Sequence, residues 1–240
     1  MKQEIYYFLQ NPSLLASKDI NERPLSKVQT VFKVYLLCMS LVLVSGFFIL
    51  ITDWIVGRTL NFSIQKNLRL NMSDFYNYWG KSAWVLVVIL APVLEEMIFR
   101  LPLSNDKRLF ALSIGFATYF FTGRVDIIDV ASIPLWRVIA CILVALSCYF
   151  LLTDKLFLFI REKFFNYACW GLIVAFSWMH IGNFAPLNWS IIFLYPIYVL
   201  PQLFYGIGAS FLMVKYKNIV WPILLHMLIN GVAVLLRSIF

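Results

Sequence analysis

Residues 82–103 read SAWVLVVILAPVLEEMIFRLPL, an apolar run that carries two carboxylates, Glu95 and Glu96, and one guanidinium, Arg100. About 20 apolar residues cross roughly 30 Å of hydrocarbon as an α-helix, so the run has the length of a transmembrane span. Charged groups at that depth cost roughly 2.5–3.5 kcal/mol each to insert. A span that keeps them must pair them or use them.

The rest of the chain extends the same pattern. Apolar residues make up 62% and charged residues 13% of the 240 residues, against about 45–50% and about 25% in a soluble domain. The excess is gathered into solid runs; a transmembrane barrel would alternate apolar and polar positions instead. The expected fold is therefore all-α, a polytopic transmembrane helical bundle of seven or eight spans. Seven are marked at 28–56, 82–103, 108–122, 133–153, 165–181, 190–214 and 219–237, and an eighth would return the C-terminus to the inner side. Pro196 and Pro201 predict a kinked or divided sixth span, where Gly206, Gly208 and Ser210 suit close helix packing. Residues 1–27 are polar and irregular, a cytoplasmic N-terminal segment, and 28–240 form one transmembrane domain.

The net charge is +8, but Lys and Arg lie in short loops between apolar runs. No basic helix or aromatic-basic stripe is present, so the charge speaks of topology and contact with the lipid bilayer rather than nucleic acid. Counting loop Lys and Arg favours a cytoplasmic N-terminus. Short loops and no appended domain point to a bacterial plasma membrane protein. Cys38, Cys141, Cys148 and Cys169 lie inside apolar runs without ligand spacing and read as core residues. Trp and Tyr near span ends read as interfacial belts.

Five polar residues stand out within the spans: Glu95, Glu96, His180, His226 and Asn230. The chain has only two histidines, and both fall in this set. Glu96 and Arg100 are four apart and can pair on one helix face, although Arg100 is near enough to its span end to snorkel to the interface. Glu95 then points about 100° away with no local partner, and must be protonated, bound or facing water. His226 and Asn230 also share a face. Such a set supports water activation, in which a carboxylate takes a proton from water that a histidine positions. A second histidine and an amide can donate to the oxyanion on a scissile carbonyl. Equally, Glu95, His180 and His226 are the donor types that hold zinc or a similar divalent metal with an open water position. Residue types alone leave both open.

Three motifs carry a family resemblance. Glu95-Glu96-Met97-Ile98-Phe99-Arg100 resembles the EExxxR motif of the CAAX prenyl protease and bacteriocin-processing (CPBP, or Abi) family of intramembrane proteases. Phe176-Ser177-Trp178-Met179-His180 resembles its FxxxH motif, and His226-Met227-Leu228-Ile229-Asn230 its HxxxN motif. The resemblance covers residues 82–237 as a CPBP-like protease core. It implies an intramembrane endopeptidase acting on membrane-associated or prenylated, CAAX-like peptides. Glu95 and His180 would activate water, His226 and Asn230 would form the oxyanion site, and Glu96 and Arg100 would support them. Members are described both as metalloproteases and as metal-free, glutamate-based enzymes.

The chain departs from the family pattern at Leu101-Pro102, where a glycine usually follows the arginine. Its long separation of Glu95 from His180 makes the third and fourth spans look like an insertion. Seven spans also place Glu95 in the inner half of its helix and His180 at the outer end of the fifth, so the two would meet only near the midplane, after a miscounted span, or through a re-entrant 182–189 segment. Two other classes compete with the protease. A proton-coupled transporter would need paired broken helices from an internal repeat, which the sequence lacks; the alternative is a non-catalytic member acting as a peptide-binding or bacteriocin-immunity membrane protein.

Overall fold

The computed structural model describes residues 1–17, 22–123 and 134–239. Residues 18–21 of the expected N-terminal segment, residue 133 of the fourth expected span and residue 240 lie outside them. The described residues are helical, without a strand. The elements are α1 (Lys2–Gln10), α2 (Pro12–Ala16), α3 (Pro24–Leu60), α4 (Ile64–Trp79), α5 (Ser82–Val85), a π-helical turn (Leu86–Leu90), α6 (Ala91–Phe99), α7 (Lys107–Phe121), α8 (Leu135–Leu151), α9 (Asp154–Met179), α10 (Tyr195–Tyr198), α11 (Leu200–Tyr216) and α12 (Val220–Ile239).

The surface of the bundle is apolar. Leu43, Phe47 and Leu50 on α3 are each more than 60% exposed, an outward face that only lipid satisfies. Among the described residues, four helices are long and apolar enough to cross a membrane: Pro24–Leu60, Ser82–Phe99, Asp154–Phe184 and Val220–Arg237. The pair Trp189–Tyr198 and Leu200–Tyr216, bent by 44°, makes a fifth if taken as one broken span. The division expected from Pro196 and Pro201 is therefore present. The helical bundle stands; among the described residues, length and composition support four or five spans and do not confirm the seven or eight expected. The difference lies in α7 and α8, of 15 and 17 residues, short of the roughly 20 that crossing requires. α8 packs chiefly on α7, in keeping with an appended pair.

Three stretches expected as loops are helical. Within 1–27, α1 and α2 pack on α9 and α11, with Phe8 and Leu15 fully buried in the main core. α4 occupies the polar stretch after the first span, its N-terminus capped by Ser63, whose hydroxyl accepts from the Lys66 amide at 3.0 Å. The charged stretch from Asp154 to Lys163 is the opening of α9, capped by Thr153. All three are amphipathic or charged, and the partners that order them come from distant parts of the chain.

Packing at the centre depends on small residues. A Cβ on Gly208 would lie 2.8 Å from Cys38 Sγ and 2.9 Å from Val34, so glycine sets the close approach of α3 and α11. Away from it, Pro102, Phe110, Phe157, Phe164 and Gly171 line an apolar cleft of about 380 Å³ between α7 and α9.

The N-terminal segment is held by charge. Lys215, buried near the end of α11, reaches Glu4 Oε1 at 3.0 Å and Glu22 Oε1 at 2.9 Å. Tyr216 also donates to Glu22 at 3.0 Å. Burial alone would push both carboxyls up, but the hydrogen bonds and charge of Lys215, together with the N-terminal ammonium at Glu4 and the Tyr216 and Ser26 hydroxyls at Glu22, outweigh it and hold both below the usual carboxylate range. A depressed folded-state pKa gives stability that is present above the unfolded value and lost as pH falls through the folded one. Lys215→Met should therefore lower stability at neutral pH by about 1.5–3 kcal/mol, the range for hydrogen bonds to charged groups. It should also flatten the loss of stability that the wild type shows below about pH 4.3, as read by thermal melting in detergent.

Candidate functional site

The site begins with a flaw in a helix. Pro92 has no N–H, and the Ala91 amide bonds five residues back to the Leu86 carbonyl, giving the π turn. The Val87 carbonyl is thereby left without a donor from its own helix, since the next amide it could use is that of Pro92. Asn230 on α12 supplies it, its side-chain amide donating at 2.9 Å. This bond fixes α12 against the segment that leads into Glu95 and Glu96.

Those two carboxylates follow different courses around α6. Glu96 is fully buried, with Oε2 3.2 Å from Arg100 Nε. Its other oxygen lies 3.0 Å from His226 Nδ1 and accepts from the Tyr205 hydroxyl. Arg100 is also fully buried, which corrects the expectation that it snorkels: its guanidinium lies over the Phe176 ring at 4.5 Å and beside Tyr205 at 5.9 Å. Phe176 is the hub, with ring centroids 4.8 Å from His180, 5.3 Å from Tyr205 and 5.5 Å from Phe99.

Glu95 turns the other way, 14% exposed, into the space between α9 and α12. Its Oε2 lies 3.8 Å from His180 Nε2 and 3.9 Å from His226 Nε2, and has no hydrogen-bond partner among the described protein atoms. Glu95 and His180 therefore meet, and the conflict created by seven spans disappears. α9 extends to Asp154, and the chain breaks after His180 into a 3₁₀ turn (His180–Phe184).

Ring orientation follows from the partners. His180 Nδ1 lies 2.9 Å from the Phe176 carbonyl, which can only accept, so Nδ1 carries the hydrogen and Nε2 of the neutral ring presents a lone pair to Glu95. His226 Nδ1 likewise donates to Glu96. Of the expected residues, Glu95, Glu96, Arg100, His180 and His226 form one connected cluster. Asn230 joins it through the Val87 backbone, one helical turn beyond His226.

Zinc bound tetrahedrally at about 2.0–2.2 Å needs its donors about 3.3–3.5 Å apart. The Glu95–His180 and Glu95–His226 separations are wider, and no group of three or more His, Cys, Asp or Glu side chains among the described residues is arranged to hold a metal. The donor types suit zinc; their arrangement does not fit it.

Two contributors escape a reading of the sequence. Tyr205 sits among many Tyr and Trp that suggest interfacial belts, yet it is buried on Glu96. Asp53, inside the first span, accepts from Ser63 Oγ at 2.7 Å, from the Gln65 amide at 3.1 Å and from Tyr198 OH at 3.2 Å. A carboxylate inside an apolar run is the signal that marks it.

A family model described as type II CAAX prenyl endopeptidase, Rce1-like, matches residues 78–232. No curated protein and no solved structure gives a significant match. The match spans well over half of the chain, which belongs to this protease family of the membrane.

Breaking one member of a buried ion pair leaves an uncompensated charge, at a cost of about 3–5 kcal/mol. Arg100→Met should destabilise by about that amount in denaturant titrations. Adding Glu96→Gln should restore part of the loss, because the amide carbonyl still accepts from Tyr205 and His226 without a buried charge.

Proposed function

We propose that the chain is an intramembrane endopeptidase in which Glu95 and His180 activate the attacking water and His226 stabilises the oxyanion. The observation that carries this reading is the placing of Glu95 Oε2, without a direct hydrogen bond, 3.8 Å and 3.9 Å from two imidazole Nε2 atoms. Two acceptors facing each other at such a distance are reconciled by a water that donates to both. That water is the one to be split.

The steps follow from the cluster. Glu95 takes a proton from the water while His180 Nε2 holds its other hydrogen, and the oxygen adds to the scissile carbonyl. Negative charge develops on the carbonyl oxygen. His226 has Nδ1 on Glu96 and Nε2 3.9 Å from Glu95, and in this reading it donates from Nε2 to that oxyanion. Collapse of the tetrahedral intermediate breaks the C–N bond, and protonated Glu95 returns its proton to the leaving amine. Asn230 serves by holding the Val87 carbonyl, keeping α12 in register with α6. No step passes through a metal.

The substrate class is the prenylated, CAAX-like peptide of the family, delivered from the bilayer to a site lined by apolar helices. The setting is a bacterial plasma membrane with the N-terminus on the cytoplasmic side, where the exposed Lys2 and Arg23 suit an anionic leaflet.

Wild type and Glu95→Gln, purified in detergent, should be incubated with a peptide library that includes prenylated members, with products read by mass spectrometry. Wild-type products should fall by about 10²–10⁴-fold in Glu95→Gln, the usual contribution of a general base, and survive removal of metals by a chelator. Products unchanged in the variant, or abolished by chelation and restored by zinc, would overturn the mechanism.

A further inference from the structure

His180 ends its helix, and nothing on α9 beyond it fixes the chain. Its Nδ1 is tied to Phe176, but the backbone leaves α9 at that residue and passes through the 3₁₀ turn His180–Phe184 into an irregular stretch, with carbonyls at the junction that lie outside α9. Those carbonyls are claimed from elsewhere. Asn67 Nδ2 donates to the Phe184 carbonyl at 3.4 Å and the Pro186 carbonyl at 3.1 Å. Asn71 Nδ2 donates to the Asn183 carbonyl at 3.0 Å and the Ala185 carbonyl at 2.6 Å. Asn67 and Asn71 are four apart and share one face of α4, so together they clamp four consecutive carbonyls just past the histidine.

The clamp is itself anchored. Asp53 on α3 holds the N-terminus of α4 through the Gln65 amide and the capping Ser63 hydroxyl, and accepts from Tyr198 on the far side of the break. The Tyr195 hydroxyl accepts from the Asn188 amide at 3.0 Å. Beneath these bonds, Ile64, Phe184, Tyr195 and Tyr198 pack with Ile49 and Val56 into a second small core. All of α3 and nearly all of α4 precede the residue at which the family match begins, Tyr78.

We infer that Asn67 and Asn71 are positioning residues of the active site. They hold the 183–186 segment so that His180 Nε2 stays opposite Glu95, and they make α4 a part of the catalytic unit that the family core does not supply. The inference rests on the protease reading for its kinetic consequence but not for its structural one. A clamp loosened by apolar replacements of similar size should let His180 drift from Glu95 while leaving Glu96, Arg100 and His226 in place.

The chain holds two histidines, so selective imidazole labelling gives two sets of NMR signals, assigned with His226→Gln. In Asn67→Leu/Asn71→Leu the His180 signals should shift and broaden while those of His226 stay within a line width. The kcat for peptide cleavage should fall about tenfold or more with KM changed less than threefold. Asn77→Leu, an exposed asparagine on the same helix, should change neither. If the double variant does not fold, Asn71→Leu alone should shift the His180 signals in the same direction. Unmoved His180 signals in a folded variant overturn the inference, as does an equal disturbance of both histidines. Wild type that cleaves nothing overturns the protease reading alone, since the NMR result still decides the clamp.

Discussion

The buried pair of Glu96 and Arg100 is the constraint on which the site depends. Two charges with no exposure inside a membrane bundle are costly unless they neutralise each other and their remaining polar atoms find partners. Here the contacts come from three other helices: Tyr205 from α11 and His226 from α12 hydrogen-bond to Glu96, while the Arg100 guanidinium, without a hydrogen-bond partner for Nη1 or Nη2 among the described residues, lies over the Phe176 ring of α9. Satisfying one ion pair therefore fixes four helices relative to one another. Glu95 inherits that rigidity, because it is the next residue on a helix that cannot rotate without pulling Glu96 from its partners.

Irregular backbone completes what the ion pair begins. Inside a membrane, non-helical backbone is tolerated where it lines a cavity or is buried in protein, and both interruptions here are of that kind. The π turn before Glu95 frees a carbonyl that Asn230 takes up, so the flaw becomes a joint between α12 and the carboxylate helix. The break near Val199 is served in the same way: Ser177, three residues before His180, donates to the Val199 carbonyl at 2.9 Å. Each break is thus closed by a polar residue from a motif that also supplies a functional group.

What the sequence discloses follows from what its signals measure. Apolar runs report local transfer into lipid, so the long spans and the helical class are legible from composition and length. The three motifs report residue types at helical spacing, and the fold brings Glu95, Glu96, His180 and His226 together even though a seven-span count sets Glu95 and His180 apart. Long-range partnership leaves no such local trace. α1, α2 and α4 are weakly apolar and become helices through distant packing. Tyr205 looks like any interfacial tyrosine until Glu96 is beside it. Arg100 lies near a span end, where a long cation can reach water, and only the rings of Phe176 and Tyr205 explain why it stays inside.

Two adjacent glutamates, identical in chemistry, are driven to different work by the 100° that separates them on a helix. Glu96 faces a cation, a hydroxyl and an imidazole N–H, all of which stabilise its negative charge, so it is a fixed anion that orients His226 as a carboxylate orients a catalytic histidine elsewhere. Glu95 faces two imidazole Nε2 atoms at 3.8 Å and 3.9 Å, with no hydrogen-bond partner for Oε2 among the described residues, the arrangement that the proposed general base needs. The Arg100 guanidinium lies over the Phe176 ring and pairs with Glu96, which leaves Glu95 to the two histidines. On the proposed mechanism, the division of labour between the two carboxylates follows from the placing of one buried arginine.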